Sequence, residues 1–101
     1  MFKYTESKNC KNQIKGIYEL DFATDRVFIT YLKEFGEVKV LDFTQFSPKS
    51  KVFFKVTYKD IYTIEGTLNE NLVFFSCKKT HLQFKEKWEK FLSVYQLKCN
   101  K

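Results

Sequence analysis

Residues 51–66 read KVFFKVTYKDIYTIEG, two runs of aromatic and β-branched residues around a short KDI segment. Such runs are strands, and the segment between them reads as a hairpin turn. The register of this hairpin decides which side chains enter a core, because a one-residue slip exchanges the two faces of a strand. A two-residue loop at Lys59 and Asp60 sets Val56 opposite Thr63 and Lys55 opposite Ile64. A three-residue loop over 59–61 sets Tyr58 opposite Tyr62, Val56 opposite Ile64 and Val52 opposite Leu68. Its other face pairs Thr57 with Thr63 and Lys55 with Glu65. All of these are favoured cross-strand pairs, so the second register is expected. Its one awkward feature is Ile61, a β-branched residue in a turn that asks for positive φ.

The register carries a functional consequence. Adjacent strand residues point to opposite faces, so the doubled aromatics at 52–54 and 73–75 (VFF in both) send Phe53 and Phe74 outward. In a fully covered fold a helix, a loop or the chain start lies over them. Left bare, they form with Leu72 a candidate site for a protein partner or a second copy, since contiguous exposed apolar patches mark such surfaces. The alternative is single-stranded nucleic acid, with Lys39, Lys51, Lys59 and Lys78 on phosphates and a base stacked on Phe53. That reading needs several unpaired cations in a row. The pairing of Lys55 with Glu65 removes one of them.

Around the hairpin the chain reads as more strands and one helix. Ile14, Gly16, Tyr18, Leu20 and Phe22 alternate with charged residues, a half-buried strand interrupted only by Ile17. The ATDR stretch at 23–26 reads as a turn, 27–32 as a second strand, 33–36 as a turn ending in glycine, and 37–43 as a third strand. The SPKSK stretch at 47–51 is a loop, followed by strands at 52–58, 62–67 and 72–78. Residues 1–5 add an edge strand, within a start (1–12) that is otherwise loosely ordered. Phe84, Trp88, Phe91, Leu92 and Tyr95 recur at helical spacing, and Thr80 with Gln83 gives a capping-box start. The expected fold is α+β: a small antiparallel sheet or partly closed barrel of about six strands, with one C-terminal amphipathic helix packed on it.

The whole chain sets bounds on this reading. Its 101 residues suffice for a single domain over 1–101. Twelve Phe and six Tyr against one Ala make the core aromatic. The net charge of +6 favours anionic partners, but every basic residue except Arg26 is lysine, a point charge without the bidentate geometry of arginine. Abundant Lys, Phe, Asn and Ile beside scarce Ala, Gly, Pro and Arg suit codons of a low-GC genome. Cys10, Cys77 and Cys99 show no metal or disulfide spacing and read as reduced thiols. With no apolar run long enough for a leader or a membrane span, a cytoplasmic protein is expected.

Catalytic chemistry is not visible. His81 is the lone histidine, so multi-histidine metal sites are excluded. Cys77 four residues earlier invites a nucleophile–base reading, but no third orienting group follows, and a core cysteine beside a surface histidine is the plainer expectation. No enzyme activity, metal or other cofactor is expected.

The stretch FFSCKKTHLQFKEKWEKFL at 74–92 resembles the end of the pleckstrin-homology-like fold. There a last strand runs through a polar turn into a closing helix, and Trp88 stands where that helix carries its tryptophan. KGIYEL at 15–20 and DRVFITYL at 25–32 look like its first hairpin. The resemblance implies a strand-rich domain closed by the helix, and docking of peptides or proteins. Its lipid-binding members cluster basic residues at the first hairpin loop, where this chain has Asp21, Asp25, Lys15 and Arg26. Phosphoinositide or membrane binding is therefore not expected. The functional expectation is a non-enzymatic interaction module, an inhibitor or accessory factor of a phage or mobile element.

Overall fold

In the computed structural model, which describes residues 2–7, 13–42, 44, 47, 49 and 51–99 and side chains as far as Tyr95, two helices and six strands are formed. They run β1 (Lys3–Glu6), β2 (Gln13–Glu19), α1 (Arg26–Leu32), β3 (Glu37–Asp42), β4 (Val52–Tyr58), β5 (Tyr62–Thr67) and β6 (Leu72–Lys78). A 3-10 turn (Lys79–His81) then leads into α2 (Gln83–Cys99). The strands make one open antiparallel sheet in the order β1-β2-β6-β5-β4-β3, not a closed barrel. The edge strand expected at the chain start is β1. Of the expected elements, Phe43 and positions 48 and 50 of the 47–51 loop lie outside the described residues, as do 8–12.

The hairpin takes the three-residue register: Tyr58 faces Tyr62, Val56 faces Ile64, Thr57 faces Thr63 and Lys55 faces Glu65. The Tyr58 and Tyr62 rings stack at 5.3 Å. The strained turn position is not Ile61. Lys59 takes the left-handed conformation (φ 48°), and Ile61 packs against the core. A long polar side chain in solvent tolerates that backbone more readily than a β-branched residue, which is also worth more when buried.

Residues 27–32 are helical, which corrects the strand expected there and the hairpin it was to form with β2. Asp25 is the N-cap, its carboxylate accepting from the Phe28 N–H at 2.8 Å. Phe28, Leu32 and Phe35, at helical spacing, all turn into the core, whereas an alternating strand would split Phe28 from Phe35. The turn at 33–36 is formed, and Gly36 is required there. A Cβ at Gly36 would lie 2.5 Å from the Thr57 carbonyl oxygen. The capping box expected at Thr80 is not the start of α2. The 3-10 turn intervenes, and the Thr80 hydroxyl lies 2.9 Å from His81 Nδ1.

Both helices cover one face of the sheet. Trp88 is fully buried among Tyr18, Phe28, Phe35 and Phe75, with Leu92 and Tyr95 of the same stripe beside it. Phe84 packs half-buried against Tyr58 and Tyr62. The Tyr18 hydroxyl donates to Glu89 Oε2 at 2.9 Å, and the Lys85 ammonium reaches the same oxygen at 2.8 Å. The charge of Glu89 is thus answered within the fold.

The Tyr62 hydroxyl donates to the Phe35 carbonyl, tying the 33–36 turn to β5. Burial, reinforced by Tyr58 and Cys77, pushes its pKa from 10.0 up to about 12. A folded-state pKa raised above the unfolded value gives stability that is complete below pH 10 and is lost as the pH rises through 12. Urea unfolding followed across that window should show a falling midpoint. The fall should be smaller in Tyr62→Phe; an equal fall in both proteins would remove Tyr62 as a source.

Candidate docking face

The face of the sheet opposite the helices is built from every second residue of the six strands. Phe53, Phe74 and Leu72 all lie on it, exposed by 43%, 47% and 37%. No helix or other described segment seals them, so the bare alternative holds for both outward phenylalanines. They do not form one continuous patch. Phe74 sits beside Ile17 of β2 and two residues from Leu72, while Phe53 sits beside Leu41 of β3. β5 runs between these two apolar islands, presenting Glu65 opposite Phe74 and Thr67 opposite Phe53. Two strand spacings and one two-residue step put the phenylalanines roughly 12 Å apart.

Neither Ile17 nor Leu41 was expected on this face, although the sequence carries a signal for one of them. Ile17 breaks the alternation of β2, and that break is an apolar residue on the outer face.

The four lysines considered for phosphate contacts are not brought together. Lys51 is held by Glu70 across the fold. Lys39 stands directly opposite Lys55, whose ammonium lies 3.6 Å from Glu65. Only Lys59 and Lys78 share a site, an open groove of about 760 Å³ at the end of the face near the 59–61 turn. Lys15, which the sequence reading passed over, completes it. Its floor is a row of Ser76, Thr63 and Thr57 beside Lys15, each on a neighbouring strand. Lys15, Lys59 and Lys78 form no ion pair among the described residues, and Lys59 lies 5.6 Å over the Tyr58 ring. Three ammonium groups and three hydroxyls make this groove rich in donors. Two carboxylates line it as well, Glu65, already engaged by Lys55, and Asp60 of the turn.

Cys77 and His81 do not assemble a nucleophile and base. Cys77 is buried, its thiol contacts the His81 carbonyl at 3.2 Å and not the imidazole, and burial raises its pKa. The thiolate is therefore disfavoured where a nucleophile needs it. Cys77 is a free thiol, while Cys10 and the side chain of Cys99 lie outside the described residues. Among the described residues no group of three His, Cys, Asp or Glu side chains is placed to hold a metal ion. No described helix is long and apolar enough to cross a membrane.

Comparison of the chain with models of protein families, with curated proteins and with solved structures finds no match in any of the three.

Proposed function

We propose that the protein is a non-enzymatic binding module that docks a protein partner on the bare face of its sheet. The observation that carries this reading is the exposure of Phe53, Phe74 and Leu72 on a face that neither helix covers. Leaving a phenylalanine in water forgoes roughly 1.5–3 kcal/mol that burial would contribute, and a partner that covers both recovers it. A single strand-rich sheet with one closing tryptophan-bearing helix is compatible with a pleckstrin-homology-like fold. Docking of peptides or proteins is one use of that fold, and an inhibitor or accessory factor would act through such a surface. Fold likeness by itself assigns no partner.

The test separates docking from folding. Phe53→Ser and Phe74→Ser change side chains outside the core, so each should lower stability by only about 1 kcal/mol, well below the loss of a core aromatic. Each should nonetheless weaken capture of the partner that the wild-type protein retains from extracts of its source cells. Unchanged capture, and an unchanged oligomeric state, in both variants would show that this face is not the surface.

The groove supports a second reading, single-stranded nucleic acid, because Lys15, Lys59 and Lys78 line it with no ion pair among the described residues, and Lys15 stands one row from Phe74. On that reading the affinity for an oligonucleotide falls with salt by roughly 0.7 log units per log unit of salt for each phosphate held. A stacking contribution then survives at physiological salt. Binding that vanishes there is the ordinary attraction of a +6 protein to any polyanion.

A further inference from the structure

β3 is one of the two open edges of the sheet, and its ladder phase can be worked out. The Leu68 N–H donates to the Val52 carbonyl at 2.8 Å. In an antiparallel ladder hydrogen-bonded pairs alternate with unbonded ones. Val52, Phe54, Val56 and Tyr58 therefore turn their backbone groups toward β5, and Phe53, Lys55 and Thr57 turn theirs toward β3. The observed β3–β4 register then assigns Glu37, Lys39 and Leu41 to bonds with β4. The N–H and C=O groups of Val38, Val40 and Asp42 point away from the sheet, with no strand beyond them among the described residues. β1, the other edge, is four residues long with Lys3 and Glu6 at its ends, which blunts it. β3 is longer and carries exposed apolar side chains on both faces, Val40 toward the helix side and Leu41 toward the bare side.

The charges on this edge are unbalanced as well. Lys39 and Lys55 stand directly opposite each other, a destabilising arrangement for like charges. Glu65 answers Lys55, but Lys39 has no ion-pair partner among the described residues. We propose that β3 accepts an extended segment of a partner protein as a seventh strand. That segment sets a carboxylate opposite Lys39 and apolar side chains opposite Val38, Val40 and Leu41.

A second copy fits less well. Two β3 strands paired about a two-fold axis at Lys39 bring those lysines together, beside a Lys55 on either side. An axis at Val40 faces Lys39 with Leu41 and Asp42 with Val38. Only an axis at Val38 gives Lys39 a carboxylate, that of Glu37, and it overlaps residues 37–39 alone before meeting the 33–36 turn.

This inference rests on the protein-docking reading but uses the sheet edge in place of its face, so the two can fail separately. The probes are two labelled nine-residue peptides of valine and threonine, one with a central glutamate and one with a central lysine. Fluorescence anisotropy should find the glutamate peptide bound about fivefold more tightly, the ratio set by replacing a repulsive cross-strand pair with an attractive one. Lys39→Glu should invert that preference. Val40→Pro removes an outward N–H without touching a bond to β4, and should abolish binding of both peptides. Phe74→Ser, far from the edge, should leave it unchanged. Lys39→Glu alters only an exposed side chain, so it decides the matter even where Val40→Pro does not fold. Equal affinities for the two peptides, or no saturable binding of either, would overturn the proposal. So would a wild-type dimer in sedimentation equilibrium that Val40→Pro dissociates, since β3 would then serve self-pairing.

Discussion

Replacing Trp88 with alanine should lower the unfolding free energy by about 3–5 kcal/mol, the usual loss for a core aromatic. The indole is fully buried, with the rings of Tyr18, Phe28, Phe35, Phe75 and Phe91 at centroid distances of 5.5–6.3 Å. These rings come from β2, α1, the turn after it, β6 and α2 itself, so the vacated space cannot close by moving one element. A domain of this size has roughly 5–15 kcal/mol in all. At about 4–8 °C per kcal/mol, the melting temperature should fall by roughly 12 °C or more. Trp88→Phe should be milder. Trp88 Nε1 is buried without a hydrogen-bond partner, and phenylalanine removes that stranded donor together with some volume. Urea denaturation with circular dichroism measures both. A change below about 1 kcal/mol in Trp88→Ala would contradict the placement of α2.

Phe28→Ala should be of similar size, about 3–5 kcal/mol, and it tests α1. Phe28 is fully buried, touching the rings of Phe22, Phe54, Trp88, Phe91 and Tyr95 at 5.1–6.3 Å. Val27, its neighbour in sequence, is 57% exposed, so Val27→Ala should change stability by no more than about 0.5 kcal/mol. The contrast between the two is the signature of a helix packed along one side. Equal costs at both positions would mean that α1 is not docked in this way.

The sequence was legible where pairing and periodicity agreed. β4, β5 and β6 carry the alternation of half-buried strands, and the hairpin register followed from matching side chains across it. α1 was not legible as a helix from its composition, because VFITYL is short, largely apolar and rich in β-branched residues. The signals that identify it span more than the run: the cap at Asp25 and the spacing of Phe28, Leu32 and Phe35. Missing that helix also hid how the sheet is covered. With one helix in view the sequence offered two faces and one cover, and nothing local says that α1 and α2 share a side.

The outward phenylalanines were legible for a simple reason. Two adjacent aromatic residues on a strand cannot both face the core. Their surroundings were not, since Ile17, Phe74 and Leu72 meet through pairing between β2 and β6, far apart in the chain. The pairing of Lys51 with Glu70 is likewise long-range, and it removes a cation that looked free. The groove around Lys15, Lys59 and Lys78 arises from the same strand order.

The most direct test of the docking face is hydroxyl-radical footprinting read by mass spectrometry, on the protein alone and bound to the partner it captures. In the free protein Phe53, Phe74 and Leu72 should be oxidised readily while Phe54, Phe75 and Trp88 stay unmodified. On binding, the first three should become protected and the core residues should remain silent. Phe53 and Phe74 oxidised to the same extent in the complex as in the free protein would contradict the account.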